Sequence, residues 1–149
     1  MKQKLFVIAA LVVGIGTIGL YGMTLTAASS DDIPRITVEN LKKLLDDPES
    51  GLVILDVRTN SSWEDSDFMI KSAIREDPND FDSWAKKYPK EKTFVLYCTW
   101  ANEATSARMA RKLMEQGYPK VHALKGGWYA WEDAGYPVQE KPEELSKKQ

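Results

Sequence analysis

Apolar positions along this chain follow three different patterns. Residues 5–25 carry no charge at all, with Lys2 and Lys4 before them and Asp31 and Asp32 after. Behind Thr37, a candidate N-cap, Val38, Leu41, Leu44 and Leu45 recur at the spacing of one helical face until Pro48 stops them. Leu52-Val53-Ile54-Leu55-Asp56-Val57 and Thr93-Phe94-Val95-Leu96-Tyr97 are instead continuous apolar runs, the pattern of short strands buried on both faces. Phe81, Trp84, Ala85 and Tyr88 mark a second helical face closed by Pro89, and Ala107, Ala110, Leu113 and Met114 a third that Gly117 ends. Residues 121–124 predict a short strand, Gly126-Gly127 a turn, and residues 128–134 a last helix closed by Gly135 and Pro137. Strands alternating with helices predict an α/β domain with a largely parallel sheet. In such sheets ligands sit beyond the carboxyl ends of the strands. Cys98 lies there, at the end of a strand and a few residues before a helix.

The ends of the chain divide from this pattern. A helix over the 21 residues 5–25 would be roughly 30 Å long, enough to cross a bilayer core. Residues 1–28 therefore read either as an uncleaved signal anchor or as a signal peptide cut after Ala28, where Thr26-Ala27-Ala28 precedes Ser29. Lys2 and Lys4 favour a cytoplasmic N-terminus, which sends the rest of the chain outside the cytoplasm, into the periplasm if the source is a bacterium. Residues 29–34 read as a linker, residues 35–138 as the folded domain, and residues 139–149 as a polar, frayed tail.

Composition narrows the chemistry. Of 20 basic and 22 acidic side chains, only Lys2 and Lys4 fall in the first thirty residues, so the remainder carries 18 basic against 22 acidic groups. A mildly acidic domain without clustered Lys and Arg does not suit nucleic acid. The single cysteine excludes an internal disulfide, and with one histidine it excludes a cysteine-rich or multi-histidine metal centre. No metal is expected, and the domain is expected to be a monomer. Cys98 is then either a small buried hydrophobe or a reactive thiol. A helix N-terminus with its unpaired N–H groups favours a thiolate and any anion bound beside it. Such a thiolate is a nucleophile without a histidine base.

The order of motifs carries a resemblance. Asp56-Val57-Arg58 after its strand, Trp63, Ile70-Lys71-Ser72-Ala73-Ile74, Val95-Leu96-Tyr97-Cys98, Ser106-Ala107, Gly117-Tyr118, and Leu124 with Gly126-Gly127 and Ala130-Trp131 together resemble the rhodanese-like domain family. The resemblance implies a central five-stranded parallel sheet flanked by helices. It implies a sulfurtransferase in which Cys98 takes up sulfane sulfur as a persulfide and passes it to a thiol or another nucleophile. Asp56 and Arg58 would chiefly support the loop after their strand. The amides of Thr99, Trp100, Ala101, Asn102, Glu103 and Ala104 would cradle the anionic sulfur, with Trp100 and Asn102 bordering the acceptor site. The partners implied are a small sulfur donor and a thiol acceptor. No cofactor is required, because sulfur itself is the group transferred.

Two departures from the family pattern bear on the site. The helix-opening Ser106 stands eight residues after Cys98, where family members commonly have six, with a glycine and often an arginine between. Counting back from the helix places the reactive position at Trp100, which cannot be a nucleophile, so either the loop has grown around a working Cys98 or the reactive position is lost. No Lys or Arg lies between Cys98 and Arg108, while Glu103 does. Thiosulfate, a dianion, is thus a poorer expectation than a thiol-borne donor, unless Glu103 points away as an acid complementing the helix dipole. Trp100 either lines a substrate pocket or plugs it. A Cys-based phosphatase would need an arginine at the position of Ala104, and thiol–disulfide exchange a second cysteine. His122 reads as a tolerated strand residue. The rival to an enzyme is a catalytically inactive binding module of the same fold, with Cys98 buried and inert.

Overall fold

The structure, a computed structural model, describes residues 32–142. The uncharged stretch of residues 5–25, the candidate cleavage site at Ala28 and most of the polar tail lie outside the described residues. No helix among the described residues is long and apolar enough to cross a membrane.

Strand β1 (Arg35–Ile36) leads through Thr37 into helix α1 (Val38–Asp46), where the Thr37 side chain accepts a hydrogen bond from the Asn40 N–H as the expected N-cap. Strand β2 (Leu52–Asp56) is followed by the short helix α2 (Asn60–Glu64) and strands β3 (Phe68–Ile70) and β4 (Ile74–Arg75). Helix α3 (Phe81–Trp84) runs on as a 3₁₀ turn over Ala85–Lys87 before strand β5 (Thr93–Tyr97). Helix α4 (Ala104–Glu115), strand β6 (Val121–Leu124), helix α5 (Gly127–Asp133) and strand β7 (Val138–Glu140) complete the order.

Five strands form one parallel sheet in the order β1-β6-β5-β2-β4. The middle strand is β5, and its full length pairs with β2, from Leu52 opposite Thr93 to Asp56 opposite Tyr97. Alternate residues of these strands point to opposite faces. Leu55, Val57, Phe94 and Leu96 pack with Phe81, Trp84, Met109 and Leu113 under α3 and α4. Ile54, Val95 and Tyr97 pack with Leu41, Trp128 and Trp131 under α1 and α5. Both faces are covered, which is why these strands read as unbroken apolar runs.

The connection from β2 leads outward to the edge strand β4, and the connection from β5 leads the other way, to β6. The carboxyl ends of β2 and β5 therefore flank a topological switch point, where a parallel sheet opens a crevice. The polar tail begins later than the sequence pattern suggests. Gln139 and Glu140 pair with Met69 and Phe68 in an antiparallel β3–β7 ribbon, and the Gln139 side chain accepts the Ser72 N–H at 2.8 Å. A ladder is made by backbone groups, so polar side chains on an exposed ribbon leave no apolar alternation to read.

Candidate active site

Strand β5 delivers Cys98 to the switch point. By alternation its side chain shares the face of Phe94 and Leu96, toward α4, and its sulfur lies 3.5 Å from the Ser106 hydroxyl. The Ser106 O–H donates to the Glu103 carbonyl at 3.1 Å, which leaves its oxygen free to accept from the Cys98 thiol. Cys98 is only 5% exposed, yet it lines a pocket of about 180 Å³. Thr59 and Ser62 close this pocket from the β2 side, and Thr99, Trp100, Asn102, Ala104 and Thr105 from the β5 side. Trp100 is 60% exposed and stands in the wall of the pocket without filling it.

The loop backbone offers donors. Among the described residues the N–H groups of Thr99, Trp100, Ala101 and Asn102 make no hydrogen bond, nor do those of Thr105 and Ser106 in the first turn of α4. The expected cradle over residues 99–104 needs correction at its far end. The Glu103 N–H is bound to the Trp100 carbonyl at 3.0 Å, and the Ala104 N–H faces the Asn102 side chain at 3.4 Å. Ala101 and the Glu103 side chain do not line the pocket.

Glu103 turns away from the sulfur. It adopts a left-handed backbone with φ of 54° and is 7% exposed. Its carboxylate is paired with Arg35 and accepts the Gly126 N–H at 2.9 Å. Its negative charge is thus spent on β1 and on the turn before α5 rather than on the pocket. Among the described residues no Lys or Arg lines the Cys98 pocket, so the walls they form are neutral hydroxyl, amide and aromatic groups.

The other wall of the crevice rests on Asp56 and Arg58, both fully buried. Asp56 Oδ2 accepts from Arg58 Nη2 at 2.7 Å, and Asp56 Oδ1 accepts the Arg58 N–H at 3.1 Å. The Tyr97 hydroxyl donates to the same carboxylate and accepts the Ile70 N–H. Arg58 Nη2 also reaches the Phe68 carbonyl at 3.0 Å, and the guanidinium lies over the rings of Trp63 and Trp128. Burial works against the Arg58 charge, but the bonds to Asp56 outweigh it and hold the guanidinium above its ordinary pKa. Arg75, whose pKa burial pulls down, ties the carbonyls of Asp56 and Arg58 together. Asp56 and Arg58 thus hold the turn into α2, which carries Thr59 and Ser62. His122 sits inside β6, paired in register with Val95.

Helix α2 and its two pocket hydroxyls had no apolar periodicity to announce them, since Asn60-Ser61-Ser62-Trp63-Glu64 is polar except at Trp63. The available signal was local: Thr59 caps the helix by accepting the Ser62 N–H at 3.3 Å.

Comparison with known proteins accords with this geometry. The family model for the rhodanese-like domain matches residues 37–134. The chain belongs to the rhodanese-like domain family. A sulfurtransferase of Allochromatium vinosum is 32% identical over 106 residues, 71% of this chain and 94% of that protein. The thiosulfate sulfurtransferase GlpE of Coxiella burnetii is 32% identical over 89 residues, covering 60% of this chain and 78% of that one. Among solved structures, the rhodanese-like domain of the Alr3790 protein from Anabaena sp. aligns with a TM-score of 0.62 at 26% identity, covering 78% of this chain and 86% of that one. The rhodanese-like fold is therefore shared with that solved domain, and in this chain Cys98 stands at the end of the central strand of the five-stranded parallel sheet.

Proposed function

We propose that this rhodanese-like domain is a sulfurtransferase in which Cys98 carries sulfane sulfur as a persulfide. The observation that carries the reading is the placement of the one thiol in a pocket at the switch point, beside a row of unbonded loop and helix-start amides. The sulfurtransferase names of the relatives support it.

The Cys98 thiolate attacks the outer sulfur of a donor persulfide. A new S–S bond forms at Cys98, the donor's S–S bond breaks, and the donor leaves as its thiolate. An acceptor thiolate then attacks the outer sulfur on Cys98, the Cys98 S–S bond breaks, and the Cys98 thiolate is restored. Sulfur moves between thiols at constant oxidation level, so no external oxidant or reductant enters. Ser106 accepts from Cys98 while it is a thiol, and rotation of its hydroxyl lets it donate to the sulfur once that is anionic. The amides of Thr99 to Asn102 are the donors nearest in sequence for the terminal persulfide sulfur.

A pocket without a cation suits a thiol-borne donor better than thiosulfate, whose two charges would meet only amides and hydroxyls. On the same reading, the uncharged stretch of residues 5–25 supports work outside the cytoplasm, with the domain tethered or released. Incubation of the purified domain with polysulfide and then with thiosulfate tests the function. Intact mass should rise by one sulfur atom with polysulfide, cyanide or a thiol should remove it, and Cys98→Ala should show no gain. A folded wild-type domain that gains no sulfur from either donor overturns the sulfurtransferase reading and leaves a binding module.

A further inference from the structure

A second pocket of about 200 Å³ adjoins the one at Cys98, and Ser62, Thr99 and Trp100 belong to the walls of both. Its character is different. Two carboxylates, Asp65 after α2 and Glu132 on α5, line it. Both are exposed, and neither makes an ion pair or a side-chain hydrogen bond among the described residues. Trp100 and Tyr129 add an edge-to-face aromatic pair with centroids 5.2 Å apart, and Tyr129, like Trp100, is largely exposed at 42%. Among the described residues the one cation in the wall is Arg58, which is fully buried and bound to Asp56 through Nε and Nη2, while its Nη1 has no hydrogen-bond partner. Thr99 lies between the two pockets, is 8% exposed, and its hydroxyl has no hydrogen-bond partner among the described residues.

Aromatic faces attract cations, and so do unpaired carboxylates. Two large aromatics and two free carboxylates at the exposed rim of one small cavity therefore suit a positively charged group, and the buried Arg58 Nη1 is left as a donor for an acceptor atom of the same molecule. The cavity's size fits a small molecule, and its shared wall puts a thiol held there next to the sulfur on Cys98. The geometry points to a small aminothiol as the sulfur acceptor: its ammonium group sits among Asp65, Glu132, Trp100 and Tyr129 while its thiolate reaches over Thr99 to the persulfide. This assignment rests on the sulfurtransferase reading above and names the acceptor class that reading leaves open.

The test uses Cys98 loaded with one sulfur by polysulfide, freed of excess donor, and mixed with cysteamine, 2-mercaptoethanol or 3-mercaptopropionate. Loss of the adduct is followed by quenched intact mass. Each rate is divided by that thiol's rate with a small-molecule persulfide, which removes intrinsic thiol reactivity. Cysteamine should discharge the protein about tenfold faster than 3-mercaptopropionate on this scale. The ratio should shrink in high salt and fall toward one in the Asp65→Asn, Glu132→Gln double variant. Equal normalised rates in the wild type, or a ratio that the double variant leaves unchanged, overturn the proposal. NMR titration of the Trp100 indole N–H with cysteamine and with 3-mercaptopropionate reads the pocket without any transfer. A Cys98 that never loads but an indole that shifts with cysteamine alone sinks the transfer chemistry and keeps the cation site. Loading without a cysteamine-selective rate or shift does the reverse.

Discussion

At the scale of single residues, the position of the Cys98 sulfur depends on a glycine nearly thirty residues away. The Trp128 N–H donates to the Cys98 carbonyl at 2.8 Å, which brings the start of α5 against the end of β5. A Cβ at Gly127 would lie 2.5 Å from that carbonyl oxygen, and Gly127 has φ of +61°, a conformation that side chains rarely adopt. Gly127→Ala must therefore push the loop that carries Cys98 away from α5 or strain the turn. The expected outcome is a loss of about 1–3 kcal/mol in stability by urea unfolding, together with slower loading of Cys98 by polysulfide in the folded protein. Unchanged stability and loading would mean that the turn relaxes freely. The Gly126-Gly127 pair was legible in the sequence as a turn, but its approach to Cys98 was not. Residues 98 and 127 meet only because β5 and β6 are neighbours in the sheet, which is a property of topology and not of local pattern.

At the scale of elements, the strands were easy to read and the pieces between them were not. β2 and β5 announce themselves because both of their faces are covered, so all their positions except the end residues Asp56 and Thr93 take apolar side chains. The five residues of α2 bury only Trp63, and those of β4 are half open to solvent, so neither imposes a period on the sequence. What holds α2 is not an apolar face but the buried Asp56–Arg58 pair and the carbonyls that Arg75 gathers. This makes the pair more consequential than an exposed one. Asp56→Ala leaves the Arg58 guanidinium buried without its counter-charge and the Tyr97 hydroxyl without its acceptor. The expected cost is about 3–5 kcal/mol, against at most about 0.5 kcal/mol for Asp46→Ala, which breaks the exposed Lys42–Asp46 pair on α1. Chemical denaturation of the two variants side by side checks the contrast. Comparable losses in both would show that the buried pair is not what anchors the loop after β2.

For the whole molecule, the two cores flanking the sheet share a sensitivity to base. On one side Tyr88 donates its hydroxyl to Glu76 at 2.6 Å and packs against Phe94, and burial pushes its pKa well above the ordinary tyrosine value. On the other side Tyr97 is fully buried against Trp128, and burial, followed by the Asp56 charge, raises its pKa as well. In the unfolded chain both ionise near pH 10. The native state then holds its phenolic protons more tightly than the unfolded state does. Stability from these groups is fully present below about pH 10 and is lost as pH rises toward the higher folded values. The unfolding free energy should be flat with respect to tyrosine ionisation up to about pH 9.5. Above that it should fall, with a limiting slope of about 1.4 kcal/mol per pH unit for each tyrosine. Tyr88→Phe removes one ionisation while keeping the ring that packs on Phe94, so its profile should be shallower than the wild type's by up to that slope. Urea unfolding at intervals from pH 8 to pH 11.5 measures both profiles, and their difference cancels the lysines that titrate in the same range. Parallel profiles would mean that Tyr88 is open to solvent before the sheet comes apart, and that the α3 side unfolds as a separate unit rather than with the strand that carries Cys98.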